Sequence, residues 1–209
     1  MSWAIENWDR LLIALWEHVR LVGAGLLISL VIGLPLGVLS ARKPRFYLAV
    51  LLVSGALYTV PALAIFALLI PVLGLGFGPA VVALVMYALL IIIRNVATGL
   101  REISPDILDA ADGMGFGRWR RLFAIELPLA LPVIIAGVRI TVVTQVSVAT
   151  VAAFINAGGL GDIIFQGITQ DFGEKVVIGA LATSALAIAC DESLRRVEVT
   201  LRAAQAESA

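Results

Sequence analysis

Between Arg45 and Arg94 the chain runs for 48 residues without a charged side chain. A bilayer crossing takes about 17–25 apolar residues, so this interval is too long for one helix and reads as two. The break falls at Gly74-Leu75-Gly76-Phe77-Gly78-Pro79, where glycines and a proline favour a turn. Composition agrees: 61% of the 209 residues are hydrophobic and 14% charged, against about 45–50% and 25% in a soluble domain. Fifteen Lys+Arg balance fifteen Asp+Glu, which excludes a general polyanion binder and with it nucleic acid. One cysteine, Cys190, and one histidine, His18, leave no disulfide framework and no zinc motif.

Five spans follow from the spacing of charges: Leu21–Ala41, Phe46–Leu73, Pro79–Ile93, Pro128–Phe154 and Phe172–Cys190. The fifth is the shortest on charge, with 15 residues between Lys175 and Asp191. The placement of basic residues orients the chain. With the N-terminus outside and the C-terminus cytoplasmic, eleven Lys/Arg fall on inner segments (among them Arg42, Lys43, Arg45, Arg101, Arg118 and Arg121) and three on outer ones. Arg139 lies within a span. Ahead of the first span, Trp8, Leu11, Leu12, Leu15 and Trp16 recur at helical spacing opposite Glu6, Arg10 and Glu17. Residues 1–18 therefore read either as an amphipathic helix lying in the outer interface or as a plain helical lead-in to span one. The organisation expected is an interfacial helix at 1–18, a transmembrane domain at 19–190 and a cytoplasmic tail at 191–209.

The longest charged interval, Arg101–Pro128, falls on the inner side. Ser104-Pro105-Asp106 has the form of a helix start: a capping hydroxyl, a proline at the first position and a carboxylate at the positive end of the dipole. Gly115 is placed to end that helix in a left-handed turn. A second short helix, Arg118–Leu127, carries Trp119, Leu122 and Phe123 beside three arginines, and Pro128 is expected to close it and open span four. The expectation is a helix–turn–helix elbow over 104–127 with an apolar and a basic face.

Asp109-Ala110-Ala111, then Gly115, then Ile125-Glu126-Leu127-Pro128, resembles the EAA signature of bacterial ABC-importer permeases, with aspartate in the usual glutamate position. Three residues separate Ala111 from Gly115 and nine separate Gly115 from Ile125. The resemblance implies an all-α, polytopic type I importer permease of about five transmembrane helices. The elbow would be a coupling helix seated on a separate cytoplasmic ABC ATPase, with Asp109, Ala110, Ala111, Gly115, Ile125, Leu127 and Pro128 as its coupling residues. It also implies a second permease subunit, an extracytoplasmic substrate-binding protein and residence in the bacterial inner membrane. No G-x4-G-K-[ST] phosphate loop occurs, so ATP is expected to be bound by the partner subunit and this chain to need no cofactor.

The resemblance extends over Val19–Ile188. Thr59–Ala64, Leu68–Gly74 and Arg94-Asn95 are similar to the osmoprotectant permeases that carry glycine betaine, carnitine or choline. The block Ala152–Asp162 is shared with methionine permeases, which are the alternative. Polar, aromatic or bend-forming residues within spans are Tyr58, Pro61, Tyr87, Asn95 and Gln145, the candidates for a substrate path. Pro61 is expected to kink span two, and a short outer helix is expected over Asp162–Gln170. Two other classes were weighed. An intramembrane hydrolase could use Ser29, Ser54 or Ser147, but the lone His18 offers no nucleophile–base pair. A non-transporting scaffold or sensor is opposed only by the coupling signature.

Overall fold

A computed structural model describes residues 2–207, and the described residues form helices and turns only. A short helix α1 (Ser2–Glu6) precedes α2 (Trp8–Arg42), which runs unbroken for 35 residues, about 52 Å at 1.5 Å per residue. The amphipathic stretch from Trp8 and the first span are thus one rod. Next come α3 (Pro44–Thr59), α4 (Ala62–Leu73) and α5 (Phe77–Arg101). The elbow holds α6 (Pro105–Gly113) and α7 (Arg118–Arg121). A π-turn at Leu122–Glu126 leads into α8 (Leu127–Ala152), followed by α9 (Leu160–Thr169) and α10 (Gly173–Glu207). Among the described residues four helices are long and apolar enough to cross a bilayer, and α3 with α4 makes a fifth, broken crossing.

Glycines set the helix pairing. A Cβ on Gly25, Gly33 or Gly37 of α2 would lie 3.0 Å from Leu84, 2.7 Å from Ile92 and 2.5 Å from Val96 of α5. Each pair is 59 positions apart, so α2 and α5 run parallel in fixed register. On the other side of α5 the pairing reverses: Gly99 meets Val133 and Ala130, and Gly137 meets Asn95, so α8 is antiparallel. Without a hydrophobic drive between helices in lipid, such close backbone approach supplies the packing energy. The resulting seam is dry, with Leu21, Phe66, Leu84, Ala88, Ile92, Val96 and Val146 all buried.

Three expectations about helix limits are corrected. Span two is not one kinked helix: α3 and α4 meet at a 98° bend. Pro61 has no N–H to continue the ladder and holds Val60 extended at φ −71°, ψ 130°. Pro128, by contrast, closes nothing. The π-turn before it, in which Leu127 N–H reaches the Leu122 carbonyl, widens the helix and lets the proline sit at its first positions. The second arm of the elbow is therefore the base of a 38-residue rod, Arg118–Ile155. Finally, residues 191–207 are no separate tail but the continuation of α10, and residues 208–209 lie outside the described residues.

The end of the bundle opposite the elbow is closed by α9. His18, fully buried, donates from Nε2 to the Val146 carbonyl at 3.1 Å and accepts Leu160 N–H on Nδ1 at 3.3 Å. Glu17 accepts Gly159 N–H at 2.9 Å. One pair of residues on α2 thus holds the start of α9 against α8.

Candidate functional site: the elbow and the broken span

The elbow is built by local rules. Ser104 Oγ accepts Asp106 N–H at 3.3 Å and Pro105 takes the first helical turn of α6. At the other end Gly115 stands at φ +81°. Its N–H reaches the Asp112 carbonyl and Phe116 N–H reaches that of Ala111, the paired bonds of a Schellman stop. A Cβ on Gly115 would have open space around it; the demand for glycine there comes from the backbone dihedral alone.

Ion pairs tie the elbow to the bundle. Arg121 donates from Nε to Glu126 at 2.9 Å and from Nη1 to Asp112 at the end of α6. The buried Glu126 also receives Arg42 from the end of α2, at 3.5 Å. Arg101 donates to the last carbonyls of α2, Ser40 at 2.6 Å and Ala41 at 3.2 Å, and stacks 4.1 Å over the Tyr47 ring. In the sequence these arginines mark only a basic side of the membrane. Nothing in their spacing tells which carboxylate or carbonyl each one meets.

Of the signature residues, Asp109, Ala110, Gly115 and Pro128 are exposed, Ile125 and Leu127 half-buried, and Ala111 buried. The elbow also presents large apolar side chains to the outside: Met114, Trp119 and Phe123 are 68%, 73% and 64% exposed. Trp119 and Phe123 stack at 6.2 Å, and Arg120 lies 4.6 Å from the Phe116 ring. An aromatic and basic knob of this kind is the composition of a protein-docking surface.

The path candidates separate into two groups. Tyr58 and Tyr87 are brought together at the broken span, rings 5.7 Å apart and nearly edge to face, and Tyr87 Oη donates to the carbonyl of Val60, next to Pro61. Asn95 and Gln145 sit instead in helix seams. Asn95 donates to Ile91 of its own helix and packs on Gly137. Gln145 is fully buried, bonding Leu84 at 3.3 Å and Ser29 at 3.5 Å, so it fastens α8 to α5 and α2. Arg139 is answered by carboxylates, pairing with Asp191 and Glu198 of α10.

A bundle of four long helices and one broken crossing, with a rigid, exposed knuckle where two helices meet at one end, defines a polytopic transport permease on the ABC-importer plan. The chain belongs to the family of binding-protein-dependent transport system inner membrane components, whose family model matches residues 33–202. It is 38% identical to the osmoprotectant import permease protein OsmW of Salmonella typhimurium, over 96% of each chain. It is 36% identical to the carnitine transport permease protein OpuCB of Listeria monocytogenes, over 94% of this chain and 90% of that one. Identity is also 36% to the glycine betaine/carnitine/choline transport system permease protein OpuCB of Bacillus subtilis, over 95% and 91%. These relatives are transport permeases, not enzymes. The fold is shared with a chain of the inward-facing MetNI methionine ABC transporter, with a TM-score of 0.84 at 24% identity over 92% of this chain and 96% of that one.

Proposed function

We propose that this chain is the membrane-spanning subunit of an ATP-driven importer for a small osmoprotectant such as glycine betaine, carnitine or choline. A separate cytoplasmic ABC ATPase binds and hydrolyses the ATP. A second permease subunit completes the channel, and an extracytoplasmic binding protein delivers the solute. The N-terminus faces outside and the C-terminus the cytoplasm. The observation that carries the coupling role is the Schellman-stopped elbow whose second arm is itself the base of the rod Arg118–Ile155. Asp109, Ala110, Ala111 and Gly115 shape the knuckle that the ATPase grips. Ile125, Leu127 and Pro128 lie at the base of the rod, so a displacement of the knuckle turns α8 as a lever rather than being absorbed in a loop. The choice of solute rests on the names of relatives at 36–40% identity. The solute passes Tyr58, Pro61 and Tyr87, while Asn95 and Gln145 act from behind by fixing the helices.

The test is uptake by the assembled complex. Labelled glycine betaine should be carried in an ATP-dependent manner, and transport of methionine alone would overturn the choice of solute. Gly115→Val forces a β-branched residue to positive φ. It should abolish uptake and binding-protein-stimulated ATP hydrolysis while the subunit still inserts and the ATPase keeps its basal rate. Normal uptake in that variant would refute the coupling role.

A further inference from the structure

The bend in the second crossing has a chemistry of its own. Tyr87 is ten residues into α5 from Phe77, about 15 Å down the helix, and so near the middle of a hydrocarbon core about 30 Å thick. At that depth α3 stops. Thr59 Oγ1 and Val60 N–H turn back to the Ala56 and Leu57 carbonyls, and Tyr87 takes the carbonyl of Val60. The carbonyls of Tyr58 and Thr59 accept no backbone hydrogen bond among the described residues. The negative end of a 16-residue helix is thus left open in mid-membrane. Irregular backbone at this depth is tolerated where it borders protein or a water-filled space. The Tyr58 hydroxyl makes the same demand: the side chain is 39% exposed and its Oη has no hydrogen-bond partner among the described residues. A phenol without a partner belongs beside a polar path rather than lipid tails.

The exposed Tyr58 ring is backed edge to face, at 73°, by the ring of Tyr87, which is 6% exposed. No lysine, arginine, aspartate or glutamate occurs in the surrounding stretch between Arg45 and Arg94. Such a corner repels no cation and offers no salt-bridge partner to trap one. A primary ammonium can be held by hydrogen bonds alone. A trimethylammonium has no N–H and is attracted by ring faces and carbonyl dipoles. Broken helices with freed backbone ends near the midplane are the common construction of transport sites in other transporter classes.

We infer that Tyr58, backed by Tyr87, and the open carbonyls of Tyr58 and Thr59 at the end of α3 form a transient subsite for the quaternary ammonium head of the transported solute. The inference rests on the osmoprotectant reading above and adds to it a place and an attractive force. The corner offers one exposed ring rather than a closed box, so the solute is guided without being retained.

The experiment replaces Tyr58 by phenylalanine and then by phenylalanines of increasing fluorination, which weaken the ring's attraction for a cation without altering its shape. Glycine betaine uptake is measured in cells whose osmoprotectant import depends on the complex containing this chain, with stimulated ATP hydrolysis of the purified complex in parallel. Uptake should fall stepwise along the series, by roughly 3- to 30-fold in all, as expected for a cation–π contact. Tyr58→Trp should match or exceed Tyr58→Phe. If the unmodified complex carries glycine betaine and the fluorinated series is flat, the aromatic subsite is overturned and the permease reading stands. If the unmodified complex carries no quaternary ammonium solute, the osmoprotectant reading fails first and takes the subsite with it.

Discussion

Arg139 on α8 grips Asp191 on α10 through two parallel hydrogen bonds, Nε to Oδ1 at 3.0 Å and Nη2 to Oδ2 at 3.1 Å. The same guanidinium reaches Glu198 at 2.6 Å, two turns further along α10. A planar fork facing a carboxylate in this way is the strong form of an ion pair, and lysine cannot reproduce it. Arg139→Lys should therefore lower the thermal midpoint of the purified complex. Arg139→Gln, which leaves Asp191 without its guanidinium and Glu198 with Arg202 alone, should lower it further. The double variant Arg139→Gln with Asp191→Asn should recover part of the loss, because it removes one of those carboxylates. A double variant no more stable than Arg139→Gln would show that Asp191 is not the partner that matters.

The α5–α8 seam depends on a missing side chain. A Cβ at position 137 would come within 2.5 Å of Asn95 Cβ, and Asn95 is held in place by its bond to Ile91. Gly137→Val should therefore destabilise the bundle by about 1–3 kcal/mol through overpacking. Asn95→Ala with Gly137→Ala should recover only part of the Gly137→Ala loss, since it removes Asn95 Cγ and Nδ2, at 2.7 and 3.0 Å, while the Cβ at 2.5 Å remains. Thermal unfolding in detergent, monitored by loss of the monodisperse complex, reads both effects.

Asp162, in the first turn of α9, has its carboxyl raised above the ordinary value by burial, with the Glu17 carboxylate adding to the rise. A carboxyl raised by folding favours the folded state below its unfolded value, and that contribution is lost as pH climbs through the raised folded value. At neutral pH the ionised group is a net cost that the helix dipole does not cancel. Asp162→Asn should accordingly raise the midpoint modestly at neutral pH, and the difference from the parent should vanish in acid. A stabilisation that persists undiminished in acid would assign the gain to a new hydrogen bond instead of to the removed charge.

Much of this architecture is legible one residue at a time. Charge-free intervals place the crossings because an unanswered charge in lipid is costly whatever its neighbours. The start and stop of α6 follow from Ser104, Pro105 and Gly115 because caps and left-handed turns are satisfied within a few residues. The signature from Asp109 to Pro128 is equally local and marks the knuckle without any knowledge of packing.

What the chain order does not carry is which residues answer one another across helices. Pro61 and Pro128 look alike in sequence, yet one breaks its span by 98° and the other rides in a continuous rod, because only the second follows a π-turn. Asp191 reads as the end of the fifth span until Arg139, 52 positions earlier, is seen to neutralise it and let the helix run on. Tyr58 and Tyr87 become a pair only when α3 folds back along α5. Local chemistry determines where helices begin and where the bilayer accepts them. Bends, buried charges and shared sites wait on partners that only the packed bundle brings within reach.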